Sequence, residues 1–549
     1  MLAKCGAGSK PACPWPLGER PTISGDTGSD RATAQISRWL QTCSYSHKSC
    51  NGVSEPQMLP TRVLEILSQR MVRLKVTNKA EAARYTTLSH AWGNGNTAQT
   101  TSSTLPSFQN NIPWELLPKT FQEAIQVTLR LGLKYIWIDS LCIVQDNVED
   151  WRQEGSQMSS IYSRSYLTIA ATKSSSSDGG CFTVSDPRYV SRTYKLKDAY
   201  CEEYTIHVRD ELDYTTVKSG SPSRLPVPLY LPLLSRAWVF QERLLSTRIL
   251  HFGPQKLMWE CFSCSTCECG SPWDGYTIST KYKSLPWKPD LDTLSNIRRW
   301  HATVVEYSTK MLTVDTDIFP ALQGISKRVK EEQRKCAYYA GLWEDSLPQD
   351  LLWYTMVSGT RTQQWRAPSW SWASVKGHVK WRSATSDFEA LFSVLEISTE
   401  PIGSNLLGGL RSGSLNLKGP CVTTSIQLEA NHSDPCYTLL LRTPGYLRSD
   451  GPLFQFYPDF ADTCAILGDA PLMLMKAART QSYMNKDGDY TSRGQCDYDF
   501  LVFEYVDTAK SVCKRVGLAD LCAQLSWRKN RSFLDHFDQA AKEITFTVI

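Results

Sequence analysis

The stretch KYIWIDSLCIV, residues 134–144, is a continuous apolar run interrupted only by Asp139 and Ser140. An apolar run without alternation is typical of a β-strand that is buried on both faces, as in a parallel sheet with helices on each side. The polar pair comes directly after YIWI, so we expect the strand to end there. Residues 134–144 therefore favour an α/β fold built around a covered sheet.

The segments on either side of this strand alternate between strand and helix patterns. YTTLSHAWG (85–93) reads as a strand that ends in a glycine turn. TFQEAIQVTLRLG (120–132) reads as a helix that opens with a capping box from Thr120 to Glu123 and stops at Gly132. The alternation continues through a helix (150–165), a strand (166–172), a helix (235–246) and two strands (248–252 and 256–261). This order predicts a doubly wound, mostly parallel sheet.

Polar and aromatic residues follow two of these strands at their carboxyl ends. Ser89, His90 and Trp92 close the first strand, and Asp139 closes the second. Ligands of such sheets bind outside the carboxyl ends of the strands. These side chains are therefore candidates for a binding site, although each also has a structural interpretation, such as a turn cap for Asp139 or core packing for Trp92.

The helix SRAWVFQERLLS, residues 235–246, carries a carboxylate on its apolar arc. At about 100° per residue, Glu242 lies about 40° around the helix from Trp238, with Leu245 close by. A buried carboxylate is costly unless it is paired. Glu242 is therefore either held in a structural ion pair, for which Arg236 is a plausible partner, or kept for chemistry.

The chain of 549 residues is long enough for several domains. The patterns predict a mobile N-terminal segment (1–35), a helical and extended lead-in (36–84), an α/β domain (85–270), a helical connector with a tryptophan-rich strand (271–380) and a β-rich C-terminal domain (381–549). In the connector, Trp370 and Trp372 alternate as they would on one face of a strand.

Composition excludes several classes of function. The net charge of the chain, +5, is small, and the basic residues are spread along the sequence. We therefore expect no nucleic-acid partner. No apolar run approaches the ~20 residues of a membrane span, and the first 20 residues lack the apolar core of a secretory signal. The 18 cysteines are therefore expected to be reduced thiols in the cytoplasm.

Two groups of cysteines raise the question of a metal site. Cys43, His47 and Cys50 fall at i, i+4 and i+7, on one face of a predicted helix, but no fourth ligand is visible in the sequence. A helix docked through small buried side chains is the alternative. The second group, residues 261–269, contains four cysteines without the distant ligand pair of a zinc ribbon. No metal site is therefore expected.

Several long motifs resemble the heterokaryon-incompatibility (HET) domain of filamentous fungi. The matching segments, in order over about residues 85–262, are YTTLSHAWG, LPKTFQEAI, LGLKYIWIDSLCIVQD and RAWVFQERLLS. The resemblance implies a role in fungal non-self recognition, in which fusion of incompatible cells triggers programmed cell death. It also implies a fold like that of the TIR domain of innate immunity.

Trp238, Glu242 and Leu244 resemble the tryptophan–glutamate signature of the third TIR helix, in which the glutamate supports cleavage of NAD. The sequence departs from that signature at Val239, where a cysteine is expected, and in a long insertion at 173–230. The resemblance implies a catalytic Glu242, and NAD-binding contacts from Ser89, His90, Trp92, Asp139 and Trp238. No metal or resident cofactor is implied, and NAD would be the substrate.

Two further interpretations stay open at this level. The domain could be a non-catalytic signalling scaffold that recruits partners through its surface, or a hydrolase of another substrate that shares the fold. In the enzymatic interpretation, self-association of the HET domain switches on cleavage, because an always-active enzyme would kill its own cell. The incompatibility partner is a protein that the sequence does not identify.

Overall fold

The chain divides into two compact units, Met1–Pro286 and Trp287–Ile549. The structure of the protein is a computed structural model. It describes residues 2–3, 21–78, 80–93, 98–197, 203–210, 231–270, 292–355, 357–382, 384–403, 405–429, 437–442, 454–461, 471–481, 496–521 and 527–549. Most of the predicted mobile segment (1 and 4–20), part of the predicted insertion (198–202 and 211–230) and the start of the predicted connector (271–291) lie outside these ranges.

The first unit contains a large sheet, a separate hairpin and six helices among its described residues. The helices are α1 (Asp30–Ser46), α2 (Leu105–Asn110), α3 (Lys119–Arg130), α4 (Asp139–Cys142), α5 (Val148–Arg164) and α6 (Ala237–Leu245). The strands longer than two residues are β1 (Arg62–Ser68), β2 (Met71–Val76), β3 (Tyr85–Ser89), β4 (Tyr135–Trp137), β5 (Leu167–Ala170), β6 (Arg192–Lys197), β7 (Glu203–Val208), β8 (Arg248–Phe252), β9 (Leu257–Cys261) and β10 (Ser265–Cys267). Of the two-residue strands, Leu2–Ala3 pairs with β7, and Gln57–Met58 pairs with Ala82–Ala83.

The large sheet has eight strands in the order β10-β9-β8-β5-β3-β4-β1-β2. Its four central strands, β8, β5, β3 and β4, run parallel, as the alternation of strand and helix patterns predicted. The pairings on both sides of this centre are antiparallel. The sheet is therefore mixed, whereas the sequence predicted a mostly parallel one. The hairpin strands β6 and β7 pair with each other outside this sheet.

The parallel centre is covered by helices on both faces. Right-handed crossovers applied to the order β4-β3-β5-β8 place α3 on one face and α5 and α6 on the other. In agreement, α3 packs on β3 and β4, and α5 packs against α6. The core joins Leu88 and Ile136 of the sheet to Ile125 of α3 and Ile161 of α5, all of them buried. This arrangement explains why residues 134–138 read as an uninterrupted apolar run.

The helix α1 begins earlier than the sequence indicated. Ser29 caps it by accepting a hydrogen bond from the backbone N–H of Ala32, and Asp30 occupies its first turn. Ala32 is fully buried. Residues 30–35, which the patterns assigned to the N-terminal segment, therefore form the first turns of a packed helix.

The predicted capping box of α3 does not form. The cap position is Pro118, and the Thr120 hydroxyl accepts a hydrogen bond from the backbone N–H of Gly180. The Glu123 carboxylate accepts from the backbone N–H groups of Cys181 (2.5 Å) and Phe182 (2.7 Å). Both side chains thus hold the loop after β5 instead of the helix terminus. The predicted stop at Gly132 is confirmed, since this residue has φ +73°.

The second unit is rich in β-structure, as predicted. The strands of its large sheet are β11 (Glu389–Ala390), β12 (Ser393–Pro401), β13 (Leu410–Glu429), β14 (Tyr437–Arg442), β15 (Phe454–Pro458), β16 (Leu472–Gln481), β17 (Cys496–Asp507), β18 (Val512–Leu521) and β19 (Lys542–Val548). Four two-residue strands form two further pairs, Tyr338–Tyr339 with Leu342–Trp343 and Tyr354–Thr355 with Val379–Lys380. Its helices are α7 (Thr293–Tyr307), α8 (Gln323–Glu332), α9 (Leu347–Asp350) and α10 (Trp527–Ala540). Phe533 and Phe537 of α10 fill the core between the strands.

The tryptophan-rich segment of this unit is not a strand. Trp372 begins a short 3-10 helix, Trp372–Ser374, and both Trp370 and Trp372 are buried. The indole N–H of Trp372 donates to the carbonyl of Gly341. Their alternation therefore reflects a turn that inserts two rings into the core. Within the described residues, no helix combines the length and the apolar character that a bilayer crossing requires.

We predict that Glu123→Gln lowers the free energy of unfolding by about 1–3 kcal/mol, because two backbone N–H groups lose a charged acceptor. Chemical denaturation monitored by circular dichroism measures the change. Glu115→Gln, at an exposed glutamate near the same helix, is the matched control and should leave stability unchanged. Equal stability of the two variants would contradict the stabilising role of the hydrogen bonds between Glu123 and the loop after β5.

Candidate functional site

The site lies at the carboxyl ends of the central strands, where the chain reverses its direction of progress across the sheet. From β3 the chain crosses to β4 on one side, and from β4 it returns past β3 to β5 on the other. Ser89 is the last residue of β3, and Asp139 follows β4 as the first residue of α4. A crevice at such a reversal is where open α/β sheets bind ligands.

Glu242 reaches this edge from α6 and is buried, with 6% of its surface exposed. Burial raises its pKa from an ordinary 4.5 to about 7, while the Ser89 hydroxyl, the Arg236 charge and the Tyr162 hydroxyl oppose the shift. The negative charge of Asp139 adds to it. Glu242 is therefore an acid that changes its protonation state near neutral pH.

The expected pairing of Glu242 with Arg236 is not formed. No cation among the described residues comes within ion-pair distance of this carboxylate, and its Oε2 atom accepts no hydrogen bond within the same part of the chain. Arg236 acts only at longer range, since its charge lowers the pKa of both Glu242 and His90. A buried acceptor without a partner is uncommon in folded proteins and calls for an explanation.

Ser89 and His90 are also buried without full hydrogen bonding. The Ser89 Oγ atom and both ring nitrogens of His90 have no hydrogen-bond partner among the residues described. His90 packs edge-on against Phe121, with ring centroids 4.9 Å apart. Burial lowers the pKa of His90, which Asp139, 3.7 Å away, only partly offsets. His90 is therefore neutral at physiological pH.

Asp139 has a structural role at this edge. One carboxylate oxygen accepts a hydrogen bond from the backbone N–H of Ser140 (2.7 Å), and the other accepts from the indole N–H of Trp92 (2.9 Å). Asp139 thus starts the turn after β4 and fixes the ring of Trp92. Its side chain keeps 22% of its surface exposed, so the same group can also face a ligand.

Trp238 is half-buried and packs edge-on against Trp151 of α5, with ring centroids 6.3 Å apart. The structure therefore brings Ser89, His90, Trp92, Asp139 and Glu242 to one edge, and it places Trp238 in an aromatic pair on the covering helices.

Tyr162 is a member of the site that the sequence did not indicate. It is buried on α5, and its hydroxyl donates to the carbonyl of Leu88 (3.1 Å). Burial, followed by the charge of Glu242, raises the pKa of Tyr162 well above 10. The hydroxyl therefore stays protonated beside the Glu242 carboxylate. The sequence predicted a helix over 150–165, which includes Tyr162, but not what this side chain faces.

The sequence also did not indicate a buried ion pair that lies next to the site. Arg243 donates from Nε (3.1 Å) and from a terminal nitrogen (2.5 Å) to the carboxylate of Glu260 on β9. His251 lies 3.6 Å from the same carboxylate, and its Nδ1 atom is 2.9 Å from the Thr172 hydroxyl. Ser89, Arg243 and His251 line one small cavity. This pair holds α6 on the strands that follow it.

Comparison with known proteins finds a family model that matches part of the chain. Residues 85–242 match the family model described as Heterokaryon incompatibility protein (HET). The match begins at the first residue of β3 and ends at Glu242, so it covers β3, β4 and β5, three of the four parallel strands, and the residues of the site. A search of curated proteins finds no match, and neither does a search of solved structures. The resemblance to the HET domain is thus confirmed for these residues.

We predict that Glu242→Gln stabilises the protein at alkaline pH. Because the folded state raises the pKa of this acid, stability falls as pH rises from 4.5 to 7, and the full cost of about 3 kcal/mol applies above pH 7. The variant should match the wild type at pH 5 and exceed it at pH 8 in denaturant unfolding. Glu149→Gln, at a glutamate that is 81% exposed, should show no such divergence. If the free energies of unfolding of Glu242→Gln and wild type depended on pH in the same way, the raised pKa of Glu242 would be contradicted.

Proposed function

We propose that the protein is a heterokaryon-incompatibility effector that hydrolyses NAD at the carboxyl edge of its α/β sheet, with Glu242 as the catalytic carboxylate. The observation that carries the proposal is a buried acid, with one oxygen unpartnered among the described residues, beside Ser89 at the reversal of strand order. The HET match over 85–242 supports the biological role. A cytoplasmic location is part of the proposal.

The strand order supports a TIR-like interpretation of the domain. Numbered by their order in the chain, the parallel strands lie as 2-1-3-4, which is the start of the 2-1-3-4-5 order of flavodoxin-like sheets. Glu242 lies on the helix that leads to the fourth of these strands. The antiparallel strands added at both edges distinguish this sheet from a purely parallel doubly wound one.

Cleavage of the nicotinamide–ribose bond requires the protein to stabilise a positively charged ribose. Nicotinamide leaves as a neutral pyridine, so its expulsion needs no acid, while positive charge develops on the ribose. An ionised Glu242 stabilises this cation, and burial strengthens its field because little water screens it. Water then adds to the ribose carbon, giving ADP-ribose and releasing one proton. The Ser89 hydroxyl, which has no hydrogen-bond partner among the described residues, can orient the ribose hydroxyl groups.

Trp92 and Asp139 serve to position the substrate. Asp139 holds the indole of Trp92 through a 2.9 Å hydrogen bond, so the ring is fixed before a ligand arrives. The fixed aromatic face of Trp92, held by Asp139, suits stacking with the planar nicotinamide. His90 is neutral and can donate one hydrogen bond to ribose or pyrophosphate. We propose that self-association of the domain completes this site.

The proposal predicts that the protein releases nicotinamide from NAD when its HET region is brought together by a fused dimerising tag. Glu242→Gln should reduce turnover at least ~100-fold while the protein remains folded, because the group that steadies the cation is lost. Chromatographic measurement of nicotinamide and ADP-ribose gives the rate.

Glu154→Gln is the matched control for this experiment. Glu154 is also buried (2% exposed), also has a pKa raised by burial, and also carries an oxygen without a partner among the described residues. It lies on α5 near Arg62, so its substitution should spare turnover. Equal turnover by wild type and Glu242→Gln would refute the assignment of the site.

The pH dependence provides a separate prediction. Glu242 stabilises the cation only when ionised, so turnover should rise with pH and reach half of its plateau near pH 7, the pKa of this group. Initial rates between pH 5 and 9 at NAD concentrations well below KM give kcat/KM, which reports the pKa of the ligand-free protein, and so test this. A rate that is flat across this range would contradict the role of Glu242 as the ionised group.

A non-catalytic scaffold is the second candidate, and one observation favours it. Both carboxylate oxygens of Asp139 are engaged within the fold, by Ser140 and Trp92, so this acid is explained without a ligand. In that case the HET region recruits partners through its surface, and the oligomerised protein leaves NAD intact while still triggering cell death. Retained killing by Glu242→Gln would favour the scaffold.

A further inference from the structure

Four potential metal ligands from two distant parts of the chain meet in the first unit. The ligand atoms of Cys43, His47, Cys50 and Cys261 all lie within 4.8 Å of one another. His47 Nδ1 is 3.4 Å from Cys261 Sγ. Around a tetrahedral zinc ion, ligand atoms are separated by about 3.5–3.8 Å, as follows from Zn–S and Zn–N bonds of about 2.3 and 2.0 Å. The observed cluster needs only a slight contraction to reach that geometry.

The backbone explains how three of these ligands converge. The helix α1 ends at Ser46, and His47 is extended (φ −106°, ψ 91°) before a 3-10 turn, Lys48–Val53, begins. This turn returns Cys50 toward Cys43, and the backbone N–H of Cys50 donates to the carbonyl of His47 (2.9 Å). The three residues therefore surround one point from a helix, a linker and a turn, instead of lying along one helix face as the sequence indicated.

We propose that Cys43, His47, Cys50 and Cys261 bind one structural zinc ion. Cys261, the last residue of β9, supplies the ligand that the sequence pattern lacked. The three cysteines are buried, with 0–3% of their surface exposed, and His47 lies half-buried at the rim. Four protein ligands leave no open position for substrate, which is typical of structural rather than catalytic zinc. The proposal is independent of NAD hydrolysis.

The charge of Arg248 supports an occupied site. This side chain is fully buried, and its Nε atom donates to Cys43 Sγ (3.3 Å) while a terminal nitrogen donates to the carbonyl of Cys50 (3.2 Å). Within the described residues it makes no ion pair with a carboxylate. Zinc with three thiolates carries a net charge of −1, so Arg248 would neutralise it. An N–H donated to a ligating sulfur also fixes that ligand, as outer-shell partners commonly do.

The cysteines near Cys261 in the sequence lie outside the group of four ligand atoms. Cys264 Sγ lies 3.6 Å from Cys261 Sγ but falls outside the group of four mutually close ligand atoms. Cys267 and Cys269 pack in a different cluster, where Lys256 donates to Cys269 Sγ (3.3 Å). The four cysteines of residues 261–269 therefore do not form one site, and only Cys261 joins the group.

The test is the metal content of the full-length protein, purified without chelators and then dialysed against zinc. Elemental analysis should find one zinc per chain in the wild type and close to none in Cys261→Ser or Cys43→Ser. Cys267→Ser, at a buried cysteine outside the group, and Cys264→Ser should both retain the ion. His47→Cys should also retain it, because a fourth thiolate is an equally good ligand.

A second measurement keeps the proposal testable even if a ligand variant fails to fold. Cobalt added to the metal-depleted wild type should give the thiolate-to-cobalt charge-transfer band of a tetrahedral site, and X-ray absorption of the zinc form should show a shell of three sulfurs and one nitrogen. Absence of zinc after dialysis of the folded wild type would overturn the proposal. Zinc lost in Cys264→Ser and retained in Cys261→Ser would overturn the ligand assignment.

Discussion

The buried ion pair between Arg243 and Glu260 fixes the orientation of α6, and the position of Glu242 depends on it. The two charged neighbours on this short helix have different surroundings. Arg243 binds the carboxylate of Glu260 through two nitrogens, while Glu242 remains without an ion-pair partner among the described residues. Since a two-point contact restricts rotation of the helix about its axis, Glu242 is held toward Ser89. A helix packed by apolar contacts alone would lack this constraint.

If Glu242 has the catalytic role that we propose, this arrangement separates stability from function along one helix. Arg243 is stabilising only because Glu260 is present, since a buried charge without its partner costs several kcal/mol. Glu242 has no ion-pair partner among the described residues, and the Ser89 hydroxyl, the Arg236 charge and the Tyr162 hydroxyl offset its burial only in part, so its pKa stays raised. A fold under selection for stability alone would replace this acid by an apolar residue. A buried acid beside a Ser89 hydroxyl that has no hydrogen-bond partner among the described residues is therefore an observation that supports our proposal of a ligand at this edge.

The sequence predicts those parts of the fold that local periodicity encodes. The apolar runs at β3, β4 and β5 and the glycine stop of α3 are local signals, and they placed the parallel centre and its carboxyl edge correctly. The antiparallel edges depend on which strands pair, which periodicity does not specify. Glu123 shows the same limit, because its spacing from Thr120 predicted a local capping box, but its carboxylate binds a loop 58 residues away. The helix that carries Tyr162 was predicted, whereas the position of this side chain beside Glu242 was not.

Strand β9 shows why long-range partners determine both sites. Successive residues of a strand face opposite sides of the sheet. Glu260 faces Arg243 of α6, and the next residue, Cys261, faces Cys43 and His47 at the end of α1. Register agrees, since Cys261 pairs with Arg248, which contacts Cys43, and Glu260 pairs with Ile249, which packs with α6. Two adjacent residues thus anchor helices on both faces, one by an ion pair and one, we propose, through zinc. A one-residue register shift of β9 would exchange the two faces and remove both anchors together.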